Sequence, residues 1–321
     1  MANSTIWVRL ADLPDEYMSS LRGRFPEVTF HQAMELDDQT LATIEGVLLM
    51  QMVTEDQVAK MPALRWIHGT QGGSGLIARH DVLDKPIRLS SSRGTHAVPF
   101  AEFGIAVIFA LAKHLYPAFG AQAERRWAED IPDTIEVNES TLAMIGMGAI
   151  GTELARKAQL MGMRVIGVRE HPENTLDFVE RMLPPASLHE ALGEADFVAL
   201  SLPSSTATLG MIDEAALRAM KPTAYLINLV ARNAVTDEAV VAKALNEGWI
   251  AGACFNMFTG PAGIIADDSP LWDAPNFVIS PFLPALDPTK WIRTVDMFAG
   301  NLKKFLADGP LTNEVPKRTG W

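Results

Sequence analysis

The chain has 321 residues, 48% of them hydrophobic, enough for about two domains with full cores. Its formal net charge of −12 argues against a nucleic-acid footprint, which needs basic patches. The single cysteine, Cys254, excludes an internal disulfide and a cysteine-rich metal site. It reads as a buried structural thiol in the small apolar run Ala251–Phe255.

The opening stretch, MANSTIWVRLADLPDE, has no basic region followed by a long apolar core, so no signal peptide is expected. Residues 1–70 alternate strand and helix. Ile6–Leu10 predicts a strand, Asp15–Arg24 a helix, Val28–His31 a strand and Asp38–Ile44 a helix. Gly46–Met50 follows as a strand, Glu55–Met61 as a helix and Leu64–His68 as a strand. That rhythm predicts a parallel sheet with helices on its faces. Gln71-Gly72-Gly73-Ser74-Gly75 then forms a turn directly after a strand, where ligands of parallel sheets sit. Arg93 to Pro99 reads as a hinge, and a helix is predicted from about Phe100 to His114. The longest apolar stretch, Phe103–Ala112, is too short to span a bilayer, and a cytoplasmic protein is expected.

A polar segment, Gln122–Asp130, leads into the most informative part of the chain. A strand, Leu142–Ile145, runs into Gly146-Met147-Gly148-Ala149-Ile150-Gly151, then a helix over Thr152–Met161 and a strand over Val165–Val168. This is the strand, glycine turn, helix and strand of a dinucleotide site. Gly146 permits the tight turn, Gly148 admits the pyrophosphate and Gly151 lets helix and strand pack. The N-terminus of that helix, which Ala149 and Ile150 lead into, offers unpaired N–H groups and a positive dipole end to phosphates. Beyond it, strands are predicted at Asp196–Ser201, Ala224–Leu229, Ile250–Phe255 and Asn276–Ser280. Helices are predicted at Ala215–Met220 and Glu238–Glu247, with an amphipathic helical tail from Asp287 to about Asp308. The cofactor domain should occupy 100–286. Residues 1–99 and 287–321 should form a second α/β domain, with the active site in the cleft between them.

The carrying motifs run almost end to end. They are the Gly72–Gly75 loop, RGTHAVPFAE (93–102), the glycine fingerprint, LSLPSSTATLGMID (200–213), YLINLVARN (225–233), SPLWDAPNFVISP (269–281) and NLKKFLADGPLTNEV (301–315). In these the chain resembles the D-isomer-specific 2-hydroxyacid dehydrogenases, on the glyoxylate/hydroxypyruvate reductase side. The resemblance implies two Rossmann-like domains with doubly wound parallel sheets, a flavodoxin-like substrate domain and an NAD(P)-binding domain. It implies a homodimer joined through the cofactor domain. It also implies hydride transfer between a nicotinamide and a 2-oxo or 2-hydroxy acid.

The resemblance implies three catalytic groups: an arginine on the substrate carboxylate, a histidine that supplies the proton, and a glutamate that holds the histidine. Arg232 stands in the arginine position, a fixed planar fork suited to a carboxylate. The histidine position is Phe282, and the glutamate position falls in Thr259-Gly260-Pro261, which has no acid. The aspartate position beside the nicotinamide is Asn256. Three outcomes are open. Another group supplies the proton, His96 first and Asp287, Lys290 or Tyr225 after it. Or a tightly held nicotinamide runs a lyase-type or internal-redox reaction that needs no histidine. Or the chain binds cofactor without turnover. Phe282 makes the pocket floor apolar, suiting an aromatic or bulky carboxylate. Trp272, Trp291 and Met257 are either part of that wall or plain core.

Arg169, directly after Val168, takes the place of the acid that bonds a ribose 2′-hydroxyl. This favours NADP over NAD, with Glu170 as the competing ribose contact. The resemblance sets Leu202, Pro203, Ser204 and Thr206 beneath the pyrophosphate and nicotinamide. It sets Leu229, Val230 and Ala231 along the nicotinamide ribose. It places the substrate carboxylate on the N–H groups of Gly73 and Ser74. The seven histidines (31, 68, 80, 96, 114, 171 and 189) show no metal-ligand spacing.

Overall fold

The structure is a computed structural model that describes residues 4–71, 80–203, 205–229, 235–258, 260 and 263–315. It divides into two compact units, Met1–His96 with Pro288–Trp321, and Ala97–Asp287. The first crossing falls at 96/97 rather than 99/100. The helix that opens the second unit begins at Ala97, because Pro99 sits in its first turn, where a missing N–H costs nothing.

The first unit runs β1 (Thr5–Arg9), α1 (Asp15–Arg24), β2 (Thr29–Gln32), α2 (Asp38–Leu41), β3 (Gly46–Leu49), α3 (Glu55–Ala59), β4 (Trp66–Gly69), α4 (His80–Leu83) and β5 (Arg88–Ser91). Its sheet is parallel, in the order β2-β1-β3-β4-β5, the flavodoxin-like arrangement. Thr54 and Gln57 cap α3 reciprocally. α2 stops short of the predicted Ile44. Thr43 and Ile44 bond back to Thr40 and Leu41, a tighter turn that the Thr43 hydroxyl reinforces on the Thr40 carbonyl at 2.8 Å.

The second unit runs α5 (Ala97–Ala112), α6 (Leu115–Ala123), β6 (Thr141–Ile145), α7 (Ala149–Leu160), β7 (Arg164–Val168), β8 (Arg181–Leu183) and α8 (Leu188–Glu194). β9 (Phe197–Leu200), α9 (Glu214–Ala219), β10 (Tyr225–Asn228), α10 (Glu238–Asn246), β11 (Gly252–Phe255) and β12 (Phe277–Ile279) complete it. The parallel sheet is ordered β12-β11-β10-β9-β6-β7-β8. Chain order reverses between β6 and β9, so the crevice beyond their carboxyl ends is the place for a ligand. All residues of β6, β9, β10 and β11 are buried. Strands covered on both faces read as apolar runs, which made them visible in sequence.

Helix α11 (Lys290–Leu306) belongs to the first unit. Its apolar stripe, including Phe298, Leu302 and Phe305, packs with Trp66, whose ring stacks on Phe298 and Phe305 at 5.1 Å each. Trp291 lies in this same core at 6% exposure, so it packs the first unit. α5 closes earlier than His114 because that residue takes a left-handed conformation and starts α6. α6, β5, β8 and α8 are elements that the sequence pattern did not announce. Among the described residues, no single helix is long and apolar enough to cross a membrane.

Candidate active site

The glycine turn lies where β6 ends. Gly146 has φ +96°, and its N–H donates to the Val168 carbonyl at 2.9 Å. A Cβ there would stand 2.4 Å from the Ser201 carbonyl oxygen. Gly148 is the N-cap of α7, and a Cβ there would meet nothing within 4 Å. A Cβ on Gly151 would stand 2.0 Å from the Gly146 carbonyl oxygen. Two glycines therefore pack the turn, and the one between them faces open space beside the helix start, with Ala149 exposed and Ile150 half-buried. That cradle fits a pyrophosphate, which needs bare backbone and the N–H groups of a helix N-terminus. Gly151 packs on the turn at Gly146 and on the strand as well, where its added Cβ would come within 3.3 Å of the Met144 side chain of β6.

Arg169 follows β7, with its N–H on the Leu183 carbonyl at 3.0 Å. Its side chain is half-buried, and among the described residues none pairs with its guanidinium. Glu170 is exposed, and His171 faces Glu173 at 3.4 Å. After β9, Leu202 is half-buried while Pro203 and Thr206 are exposed. The buried Thr208 hydroxyl ties this loop by donating to the Pro203 carbonyl at 2.7 Å and accepting the Ser205 N–H at 3.0 Å. Sequence reasoning stopped at Thr206 and missed Thr208. A threonine bonding backbone a few residues earlier was the available signal.

Asn256, just past β11, is 1% exposed, and its amide bonds the Leu229 carbonyl and the Ser280 hydroxyl. Both ends are thus engaged within the protein, where the resemblance implied a face turned to the nicotinamide. Phe282 is half-buried, with φ 57°. Its N–H donates to the Ser280 carbonyl, and its carbonyl accepts from Ala285 N–H. The ring packs over Gly263, where an added Cβ would come within 3.2 Å of it and 3.8 Å of Met257. Trp272 is half exposed and donates to the Ala266 carbonyl. Gly73, Ser74, Val230, Ala231 and Arg232 lie outside the described residues, as do Ser204, Thr259 and Pro261.

His96 is half-buried, with Nδ1 3.1 Å from Thr95 Oγ1. The Thr95 hydroxyl spends its one hydrogen on the Ser92 carbonyl at 2.9 Å. Nδ1 is therefore the donor in the neutral ring. His68 is fully buried between the hydroxyls of Ser90 (2.7 Å) and Ser92 (2.9 Å), and burial pushes its imidazole down to about 3. It stays neutral at working pH and holds the core. Tyr225 opens β10, at the sheet end opposite the glycine turn, which removes it as a proton donor. Cys254 is buried, and its thiol is pushed up to about 12. Among the described residues, no cluster of three His, Cys, Asp or Glu could hold a metal ion.

A family model described as D-isomer specific 2-hydroxyacid dehydrogenase, NAD binding domain, matches residues 105–283. The chain belongs to the D-isomer-specific 2-hydroxyacid dehydrogenase family. It is an NAD(P)-dependent dehydrogenase or reductase. A glyoxylate reductase of Korarchaeum cryptofilum is 30% identical over 266 residues, covering 80% of this chain and 78% of that protein. A family protein of known structure from Aeromonas salmonicida superposes with TM-score 0.85 at 22% identity, over 98% of this chain and 99% of that one. An acyclic imino acid reductase, solved with NADPH and D-Arg, gives 0.82 at 20% identity over 97% and 100%. At such identities the two structures speak to the fold alone.

Proposed function

We propose that this enzyme transfers hydride between a nicotinamide and a 2-oxo or 2-hydroxy carboxylic acid with a small or aromatic side chain. The observation that carries the reading is the cradle at the end of β6, open at Gly148 and packed shut on either side of it. The nicotinamide, when bound, supplies or takes the hydride; the remaining work falls to the chain's own residues. Arg232 grips the substrate carboxylate with two charge-assisted bonds and draws electron density from the 2-carbonyl. The N–H groups of Gly73 and Ser74 share that carboxylate. His96 supplies the proton that the carbonyl oxygen takes as the alcohol forms, held in orientation by Thr95. Phe282, with Met257 beside it, keeps the reacting end apolar. Leu202, Pro203 and Thr206 would hold the cofactor's pyrophosphate, and Val230 and Ala231 its ribose. Arg169 meets a 2′-phosphate, which favours NADP.

The protein acts as a homodimer joined through its second unit, whose exposed Phe119 (63%) and Trp127 (86%) support that face. Its place is the cytoplasm.

The test is turnover of a 2-oxo acid panel with NADPH and NADH. Wild type should reduce members of the panel and prefer NADPH. Arg232→Ala should lower kcat/KM by roughly 100- to 10,000-fold, since two hydrogen bonds to a charged group are lost. His96→Gln should lower kcat roughly 100-fold with KM little changed. Activity that survives Arg232→Ala contradicts the reading, and no turnover of any 2-oxo acid would leave an internal-redox or binding-only role in its place.

A further inference from the structure

Asn256 forms a side-chain clamp across three strand ends. Its main-chain N–H donates to the Asn228 carbonyl at 2.9 Å, which extends the ladder between β10 and β11 by one rung. Its side chain then bonds in both directions. Nδ2 donates to the Leu229 carbonyl at 3.0 Å, and Oδ1 accepts from Ser280 Oγ at 2.7 Å. Ser280 follows β12, is 2% exposed, and donates its own N–H to the Phe255 carbonyl at 2.9 Å. One amide thus fastens the carboxyl ends of β10, β11 and β12, reaching partners 27 and 24 residues away in sequence.

The partners decide which way the amide points. A carbonyl can only accept, so the atom facing Leu229 must be the nitrogen, and the oxygen is left for the Ser280 hydroxyl. An ionised carboxylate of the same size could still accept from Ser280. Toward Leu229 it would set oxygen against oxygen in a place closed to water, where an unmet carbonyl and a repelled charge are both costly. Asparagine at a position where the resemblance implied aspartate therefore has a reason internal to the chain.

We infer that Asn256 is a positioning residue for the substrate anchor, fixing Leu229 and, through Ser280, the turn at Pro281 and Phe282. Arg232 comes three residues after Leu229, and Phe282 two after Ser280. The inference rests on Arg232 as the carboxylate anchor. Loss of the clamp loosens the chain leading to that guanidinium, so it raises the KM for the 2-oxo acid and leaves cofactor affinity in place.

The experiment compares N256D and S280A with wild type by thermal melting, by NADPH binding measured from fluorescence, and by KM. In N256D, burial and the Leu229 carbonyl raise the folded-state carboxyl above its unfolded value. The protonated acid can donate to Leu229 while its other oxygen accepts from Ser280. The melting deficit should therefore be large near pH 8 and shrink as pH falls toward about 5, where the acid regains its hydrogen. At the higher pH the KM for the 2-oxo acid should rise about tenfold, the cost of one buried unmet group, with the NADPH dissociation constant within about twofold of wild type. S280A, which leaves the Leu229 bond intact, should raise KM less and show no recovery at low pH. A deficit in N256D that ignores pH overturns the clamp. So does a weakened NADPH affinity with unchanged KM, which would make Asn256 a cofactor contact. An unchanged KM in Arg232→Ala removes the anchor reading instead, and the melting comparison still tests the clamp separately.

Discussion

The carboxyl ends of β6 and of β10 to β12 belong to one sheet and are finished in opposite ways. At β6 the chain removes side chains. Gly146 and Gly151 let the turn pack on itself, and Gly148 leaves a gap of bare backbone. At β10 to β12 the chain adds side-chain bonds, with one buried amide and one buried hydroxyl lashing three strands together. The first end suits a mobile anion, which backbone N–H groups and a helix dipole hold without a charged side chain. The second suits the guanidinium proposed as substrate anchor, whose two-pronged grip would work only with its base held still.

The contrast can be broken most severely at Gly151. Its added Cβ would stand 2.0 Å from the backbone oxygen of Gly146, where no side-chain rotation offers relief. Gly151→Ala should cost about 4 kcal/mol or more in chemical denaturation, or fail to fold. A variant as stable as wild type would show that the turn has slack, and the packed half of the comparison would fall.

A smaller effect comes from the first unit. Burial holds His68 at about 3, far below its ordinary value of 6.5. Its folded-state value is depressed, so between 6.5 and 3 the unfolded chain binds a proton that the native chain refuses. Stability then falls as pH drops through that window, by about 1.4 kcal/mol per unit and so about 3 kcal/mol by pH 4.5. His68→Gln should flatten this acid limb of the stability profile. An unchanged limb would assign the loss to other groups.

The cofactor end was legible in the sequence because its signal is local. Six consecutive positions between a buried strand and an amphipathic helix state the whole device, and each glycine's role can be argued from its missing Cβ. Strands β6, β9, β10 and β11 of the second sheet were legible for a related reason, since burial on both faces leaves unbroken apolar runs. The substrate end was legible only as residue identities. Phe282 and Asn256 could be seen to differ from the expected histidine and aspartate. The meaning of Asn256, however, depends on partners more than twenty residues away, which no local pattern encodes. β5 escaped notice because Ser90 and Ser91 dilute its apolar pattern, although Ser90 is one of the two serines that fix His68. Trp291, left open between pocket wall and plain core, proves to be core of the first unit.

Gly148→Ala tests the central claim most directly, because the new methyl group meets no protein atom within 4 Å and would occupy the space proposed for the pyrophosphate. Its unfolding free energy should stay within about 0.5 kcal/mol of wild type. Its NADPH dissociation constant, measured by equilibrium titration, should rise about tenfold or more, equivalent to about 1.4 kcal/mol. Wild-type affinity in a stably folded Gly148→Ala protein would contradict the account, since the dinucleotide would then lie somewhere other than the cradle at the end of β6.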